Sequence, residues 1–246
     1  MALKNGHKDQ LFSRRREVQM RARPSHQSPQ PANGTPVCLP DRGMLDQLRS
    51  LAHATQTLWR DLAIGSVPDP PNPSHSENVA QLGLVIAHAL GLASEVCQRV
   101  YRAAYLHDVG SVAVPSTVLC KPGRLTPSER EAMQVHPLIS RELLAAFLPT
   151  GDIAGIALSH HERYDGNGYP GGLQGTRIPI EARVLALADS LDGMLTRQPY
   201  RNALPFSSAW SEIIREAGRQ FDPCIVENLA CRKTTMRLML GDELIR

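Results

Sequence analysis

Residues 74–91 read SHSENVAQLGLVIAHALG, and this stretch decides the fold class. Ser74 followed three positions later by Glu77 is the pattern of a capping box. The apolar residues that follow recur at helical spacing, and Gly91 supplies a stop. The reading predicts a helix over 74–90. Downstream, the same punctuation repeats. A second helix is expected over about 94–107. Thr126, Pro127, Ser128 and Glu129 open another, with Thr as cap and Pro at the first helical position. Further helices are expected at 137–148, 152–161, 180–195, 207–219 and 223–232, the last capped by Asp222 and entered at Pro223. Upstream, residues 44–64 carry apolar residues at helical spacing, and the proline-rich run from Pro68 to Pro73 is a stiff break. No strand-like alternation exceeds four residues and no internal repeat is present. The fold class is all-α.

The chain of 246 residues is 42% hydrophobic but only 4% aromatic, so its core is built on Leu, Ala, Val and Ile. Its net charge of +3 is unevenly placed. Residues 1–43 hold eight Lys/Arg against Asp9, Glu17 and Asp41, leaving the remainder slightly acidic. The basic balance therefore belongs to a tail, read as disordered, and gives no reason to expect a nucleic acid polymer as partner. The organisation expected is a basic tail at 1–43, a helix and linker at 44–71, one domain at 72–235 and a C-terminal tail at 236–246. The five cysteines are scattered without a C-x-x-C pair, which argues for reduced thiols and against a thiolate metal site. No apolar run reaches the length of a membrane span, and no signal peptide pattern opens the chain. The expected location is cytoplasmic.

Nine histidines concentrate the chemistry, and five of them fall where helices begin or end: His75, His107, His136, His160 and His161. Side chains at helix ends can be aimed at a shared centre without burying a row of polar groups. Imidazole and carboxylate without thiolate suit iron, manganese or a similar ion rather than structural zinc. His88 lies thirteen residues after His75 on one helix, so it points roughly 220° away and is set aside. Asp189 interrupts the run Val184 to Ala188, which otherwise reads as a buried helix face. An unpaired carboxylate there would cost several kcal/mol, so it needs a cation or a firm partner, with Arg183 the ordinary alternative. Asp192 lies three residues on, along the same face, where it could support a ligand from behind. Between these helices runs the glycine-rich segment from Glu162 to Gly172, a wall or lid beside the double histidine.

Together these residues resemble a known family. His107-Asp108-Val109-Gly110 is similar to the HD signature of metal-dependent phosphohydrolases. His160-His161-Glu162-Arg163 with Asp165-Gly166-Asn167-Gly168-Tyr169-Pro170 resembles the HHExxDGxGYP signature of the HD-GYP subfamily. Supporting similarity lies in residues 121–126, in His136, in Ala182-Arg183 with Ala188-Asp189, and in residues 197–201; it spans about 74–232. The resemblance implies an HD-type helical bundle around a dinuclear metal site that hydrolyses cyclic di-GMP to linear pGpG, with GMP a further product. By motif it implies His75, His107, Asp108, His136, His160, His161 and Asp189 as metal ligands, with His107 and Asp108 the catalytic pair and Asp108 the bridge between metals. Two divalent ions, iron or manganese, would be the cofactors. Tyr169, Asp192, Arg197, Arg201 and Lys121 would face the substrate, and a diguanylate cyclase or other signalling protein would be a fitting partner.

Two departures from the family pattern stand out. The HD motif commonly continues to a lysine, where this chain has Ser111. Members with a third metal carry a glutamate four residues before the first ligand histidine, where this chain has Pro71, so two metals are expected. Ser111 also motivates an alternative, a degenerate module that senses the nucleotide or binds partner proteins. Another cyclic dinucleotide as substrate is the third reading.

Overall fold

A computed structural model of the chain describes residues 73–147, 152–196 and 202–231, together with Gly43, Asp46 and Ser50, which are helical. The rest of the expected 44–64 helix, the linker with Pro71, both tails, Arg197 and Arg201 lie outside the described residues. The described residues all belong to one compact unit, Pro36–Arg246.

Nine α-helices follow one another among the described residues from Pro73 onward: α1 (Pro73–Ala89), α2 (Ser94–Leu106), α3 (Ser116–Leu119), α4 (Pro127–Met133), α5 (His136–Phe147), α6 (Asp152–Leu158), α7 (Ile180–Leu195), α8 (Phe206–Arg215) and α9 (Pro223–Ala230). Short 3₁₀ turns at Val109–Ala113 and Gly175–Arg177 were not expected from the sequence, and neither was α3. No strand occurs among the described residues beyond an isolated bridge between Ala217 and Phe221. The all-α reading holds.

Helix α7 sits at the centre. It packs on α1, α2 and α8, while α2 also contacts α6, and α5 lies against α6 and the first 3₁₀ turn. Leu82 and Ile86 of α1, Leu106 of α2, Ile153 of α6, Leu185, Leu187 and Leu191 of α7, and Trp210 and Ile213 of α8 are fully or almost fully buried. Burying each such side chain contributes about 1.5–3 kcal/mol, so the aliphatic face of α7 is the main cohesive element.

The helix boundaries show which local signals were decisive. The capping box at α4 forms in both directions: Glu129 N–H donates to Thr126 Oγ1 and Thr126 N–H to Glu129 Oε2. Asp222 caps α9 by accepting from Cys224 N–H at 2.8 Å. Gly91 ends α1 with φ at +72°, and Leu92 N–H reaches back to Ala87 O. At the start of α1 the expectation is corrected. The helix begins at Pro73, so Ser74 lies within it rather than capping it, as suits a proline whose φ is preset for a first helical position. Helix α6 also stops early, at Leu158, which places His160 and His161 in the turn beyond it.

Candidate metal centre

Three histidines are built the same way. His107 Nδ1 donates to Ala104 O at 2.7 Å, His136 Nδ1 to Met133 O at 2.8 Å, and His160 Nδ1 to Ala157 O at 2.5 Å. Each ring therefore bonds the carbonyl three residues back, which commits the Nδ1 hydrogen and leaves Nε2 as a lone pair pointing inward. His107 and His160 are each 1% exposed. His75, from the first turn of α1, uses a carboxylate instead: its Nδ1 donates to Asp192 Oδ2 at 2.7 Å.

The inward nitrogens converge in two groups joined by one carboxylate. His75 Nε2 lies 3.4 Å from Asp189 Oδ1, and His107 Nε2 lies 3.9 Å from the same oxygen. On the other side, His136 Nε2 is 3.3 Å from His160 Nε2 and 3.2 Å from His161 Nε2. Asp108 stands between. Its Oδ2 is 3.5 Å from His107 Nε2, while its Oδ1 is 3.3 Å from His136 Nε2 and 3.7 Å from His160 Nε2. Within each of three sets the ligand atoms lie inside 4.8 Å of one another: His136, His160, His161; His75, His107, Asp189; and His107, Asp108, His160. All seven expected residues are thus gathered, and His88 joins none of the sets.

The donor set fits a cation. With their Nδ1 hydrogens committed, His136 and His160 would face each other lone pair to lone pair at 3.3 Å unless positive charge lies between them. Burial pushes the His160 ring well down, and repulsion from His161 adds to it. Burial and the neighbouring His136 bring His161 to about 3, so both rings stay neutral and available as ligands. At His75 burial acts downward too, but its bonds to Asp189 and Asp192 outweigh it and lift the ring to about 10. For Asp108 burial acts upward and is overcome by His107 and His136, which hold the carboxyl well below the usual range. The residues that could hold metal ions are ionised carboxylates and inward-facing imidazoles of octahedral-metal type.

The ordinary alternative for Asp189 fails. Arg183 is engaged elsewhere, donating from Nε to Ile178 O at 3.0 Å and pairing through its guanidinium with Asp222. Asp192 requires a correction. Of its two expected places, beside substrate and behind a ligand, the first is not what the structure shows: Asp192 is 2% exposed and its carboxylate is committed to His75 and to Thr196 Oγ1. Its place is behind a ligand, where a carboxylate fixes ring orientation and raises basicity. Asp192→Asn is therefore expected to weaken metal affinity about 10–100-fold; metal titration monitored by elemental analysis would show it, and unchanged affinity would refute the role. Lys121 is likewise occupied, its Nζ 2.6 Å from Glu129 Oε2.

The segment after the double histidine is a fastened wall rather than a lid. Buried Glu162 accepts from Gly171 N–H at 2.6 Å and Leu173 N–H at 2.9 Å, closing the loop on itself. Tyr164 and Asp165 N–H donate to Gln220 O and Arg219 O. Gly168 passes so close that a Cβ there would lie 2.2 Å from Arg163 N. Tyr169 N–H bonds His161 O, and its ring lies 4.8 Å from the His161 ring, inclined at 32°. Two residues that organise the site carried no assigned role in the sequence: Glu162, and Ser140, whose Oγ donates to His107 O at 2.7 Å and accepts from Gly110 N–H at 2.9 Å. The signal for Ser140 was a polar residue one turn after His136 on an otherwise apolar face.

A family model described as "HD domain" matches residues 57–225. The chain belongs to the HD domain family. Its resemblance to the HD-GYP branch is borne out by curated relatives. It is 41% identical over 169 residues to the cyclic di-GMP phosphodiesterase response regulator RpfG of Xanthomonas campestris pv. campestris, covering 67% of this chain and 44% of that one. It is 41% identical over 157 residues to a cyclic di-GMP phosphodiesterase of Thermotoga maritima, covering 62% of this chain and 42% of that one. The HD domain here thus spans less than half the length of either relative. In fold it is similar to a crystal structure of a cyclic GMP-AMP specific phosphodiesterase of Vibrio cholerae, with a TM-score of 0.57, 19% identity, and coverage of 79% of this chain and 50% of that one. No helix among the described residues is long and apolar enough to cross a membrane.

Proposed function

We propose that this chain is a metal-dependent phosphodiesterase that opens cyclic di-GMP to linear pGpG, with GMP a further product, through a catalytic module at residues 72–235. The observation that carries the proposal is Asp108, which turns one oxygen to His107 and the other to His136 and His160. In this reading His75, His107 and Asp189 would hold one divalent ion, His136, His160 and His161 would hold a second, and Asp108 would be shared by both. The donor chemistry favours iron or manganese. When bound, such a pair would lower the pKa of an attacking water and neutralise charge building on the phosphoryl oxygens.

The protein's own groups do the rest. The backbone carbonyls behind His107, His136 and His160 fix the ring tautomers, and Asp192 orients His75. Tyr169 covers His161 and borders the substrate. Arg197 and Arg201 are assigned to the nucleotide because the planar guanidinium matches phosphate oxygens and guanine edges. A signalling protein such as a diguanylate cyclase is the fitting partner, and the cytoplasm is the location assigned to the reaction.

The test is elemental analysis of anaerobically purified protein paired with a product assay on cyclic di-GMP. Two metals per chain and pGpG formation are expected, with activity lost to a chelator and restored by Fe(II) or Mn(II). Metal-loaded protein that leaves cyclic di-GMP intact over long incubation would overturn the proposal. A panel containing cyclic GMP-AMP separates the alternative substrate. Ser111 is 4% exposed on the turn that begins beside Asp108. Ser111→Lys is therefore expected to lower KM or raise kcat on cyclic di-GMP, while overpacking the turn by about 1–3 kcal/mol. No change in either constant would mean the missing ammonium does not limit the reaction.

A further inference from the structure

A cavity of about 610 Å³ opens beside the His75 and Asp189 half of the centre, between α7, α8 and the segment that follows α8. That volume suits a nucleotide-sized ligand. Its walls are mixed in a particular way. Met194, Leu204 and Phe221 supply apolar surface, and Ser190, Glu212 and Gln220 supply polar atoms. Apolar walls suit the two faces of a planar base, and the few polar groups are then what reads its edge.

The polar groups are not equivalent. Glu216, also in the wall, is surrounded by guanidinium groups, with Arg163 at 3.7 Å, Arg215 at 3.8 Å and Arg219 at 3.5 Å. Gln220 is held at both ends, donating from Nε2 to Ser190 Oγ at 3.1 Å and accepting from Arg163 through Oε1 at 3.4 Å. Glu212 differs. Among the described residues its Oε1 alone is engaged, by Arg215, whose side chain is 68% exposed and whose pairing is a surface contact of small energetic weight. Its Oε2 has no hydrogen-bond partner among the described residues.

A carboxylate acceptor in the wall repels a phosphate and attracts adjacent N–H donors. Guanine presents two of these side by side, N1–H and the N2 amino group. Adenine presents an acceptor at N1 and has no N2 amino group. Ser190, whose oxygen accepts from Gln220, keeps its own hydrogen to donate toward a purine acceptor such as O6. We propose that this cavity is a guanine subsite in which Glu212 determines specificity by accepting from the N1–H and N2 edge. The proposal rests on the phosphodiesterase reading above and names which half of the substrate lies over the His75 side.

The experiment compares wild type with Glu212→Gln and Glu212→Ala on cyclic di-GMP, cyclic di-AMP and the base-free diester bis(p-nitrophenyl) phosphate. It adds equilibrium binding of GMP, IMP and AMP to the metal-loaded protein. Wild type is expected to bind GMP more tightly than IMP, which lacks the N2 amino group, and IMP more tightly than AMP. Both variants are expected to lose about 10-fold or more in kcat/KM on cyclic di-GMP and to bring GMP and AMP affinities together, with the base-free diester unaffected. Equal losses on all three diesters, or GMP and AMP bound alike by wild type, would overturn the subsite while leaving the phosphodiesterase reading intact. Wild type inactive on every diester would overturn that reading and the subsite with it.

Discussion

Asp108→Asn is expected to abolish metal-dependent turnover, lowering kcat/KM by at least about a thousandfold, or ~4 kcal/mol of barrier. The substitution keeps the shape of the side chain and removes its charge. In the wild-type arrangement Asp108 Oδ1 and Oδ2 face opposite histidine groups. A carboxamide can present only one oxygen, so one of the two groups loses its anionic ligand and the ions lose their shared bridge. The same variant is expected to retain fewer than two metals per chain by elemental analysis, while its helical content by circular dichroism is unchanged. Substantial residual activity with full metal content would show that another residue joins the two halves.

The sequence makes this centre readable because its chemistry is local to short motifs. His107-Asp108 and His160-His161 are adjacent pairs, and two adjacent ligands cannot both be hidden in one apolar helix face. Asp189 was legible for a different reason, as a carboxylate that interrupts the apolar run beginning Val184 to Ala188, and the structure removes its ordinary explanation by giving Arg183 to Asp222. Capping chemistry was equally direct at Thr126 and Asp222, because there the side chain and the backbone it satisfies are neighbours.

What the sequence left hidden depends on pairing across long separations. Asp192 shares a helix face with Asp189, so proximity suggested a support behind the ligands without saying which one; only the packing of α1 on α7 shows that it serves His75, 117 residues away. Ser140 and Glu162 do their work through backbone groups, so the residue pattern can mark the polar side chain, as it does for Ser140, but not the partner it serves. The α6 boundary is a related case. The helix ends at Leu158, and His160 and His161 follow in the turn, an end that no capping residue or glycine announces in the sequence.

Gly110→Ala tests the hidden part of the design most severely. A Cβ at this position would lie 2.2 Å from His136 O and 2.4 Å from Ser140 N, both backbone atoms of α5 that no rotamer change can move. Relief requires the turn at Val109–Ala113 to separate from α5, which also breaks the pair of bonds that Ser140 makes to Gly110 and His107. The expected cost is at least ~3 kcal/mol, or a fall in melting temperature of roughly 6–12 °C for a chain of this size. Ser140→Ala removes the same two bonds without the clash and is expected to cost only about 1–3 kcal/mol. The ordering of the two variants in thermal denaturation is therefore diagnostic. If Gly110→Ala melts with or above Ser140→Ala, the close approach of the turn to α5 is not what holds His107 and His136 in one centre. If the order is as expected, metal content should fall with it, because the same backbone contact sets the separation of those two ligands.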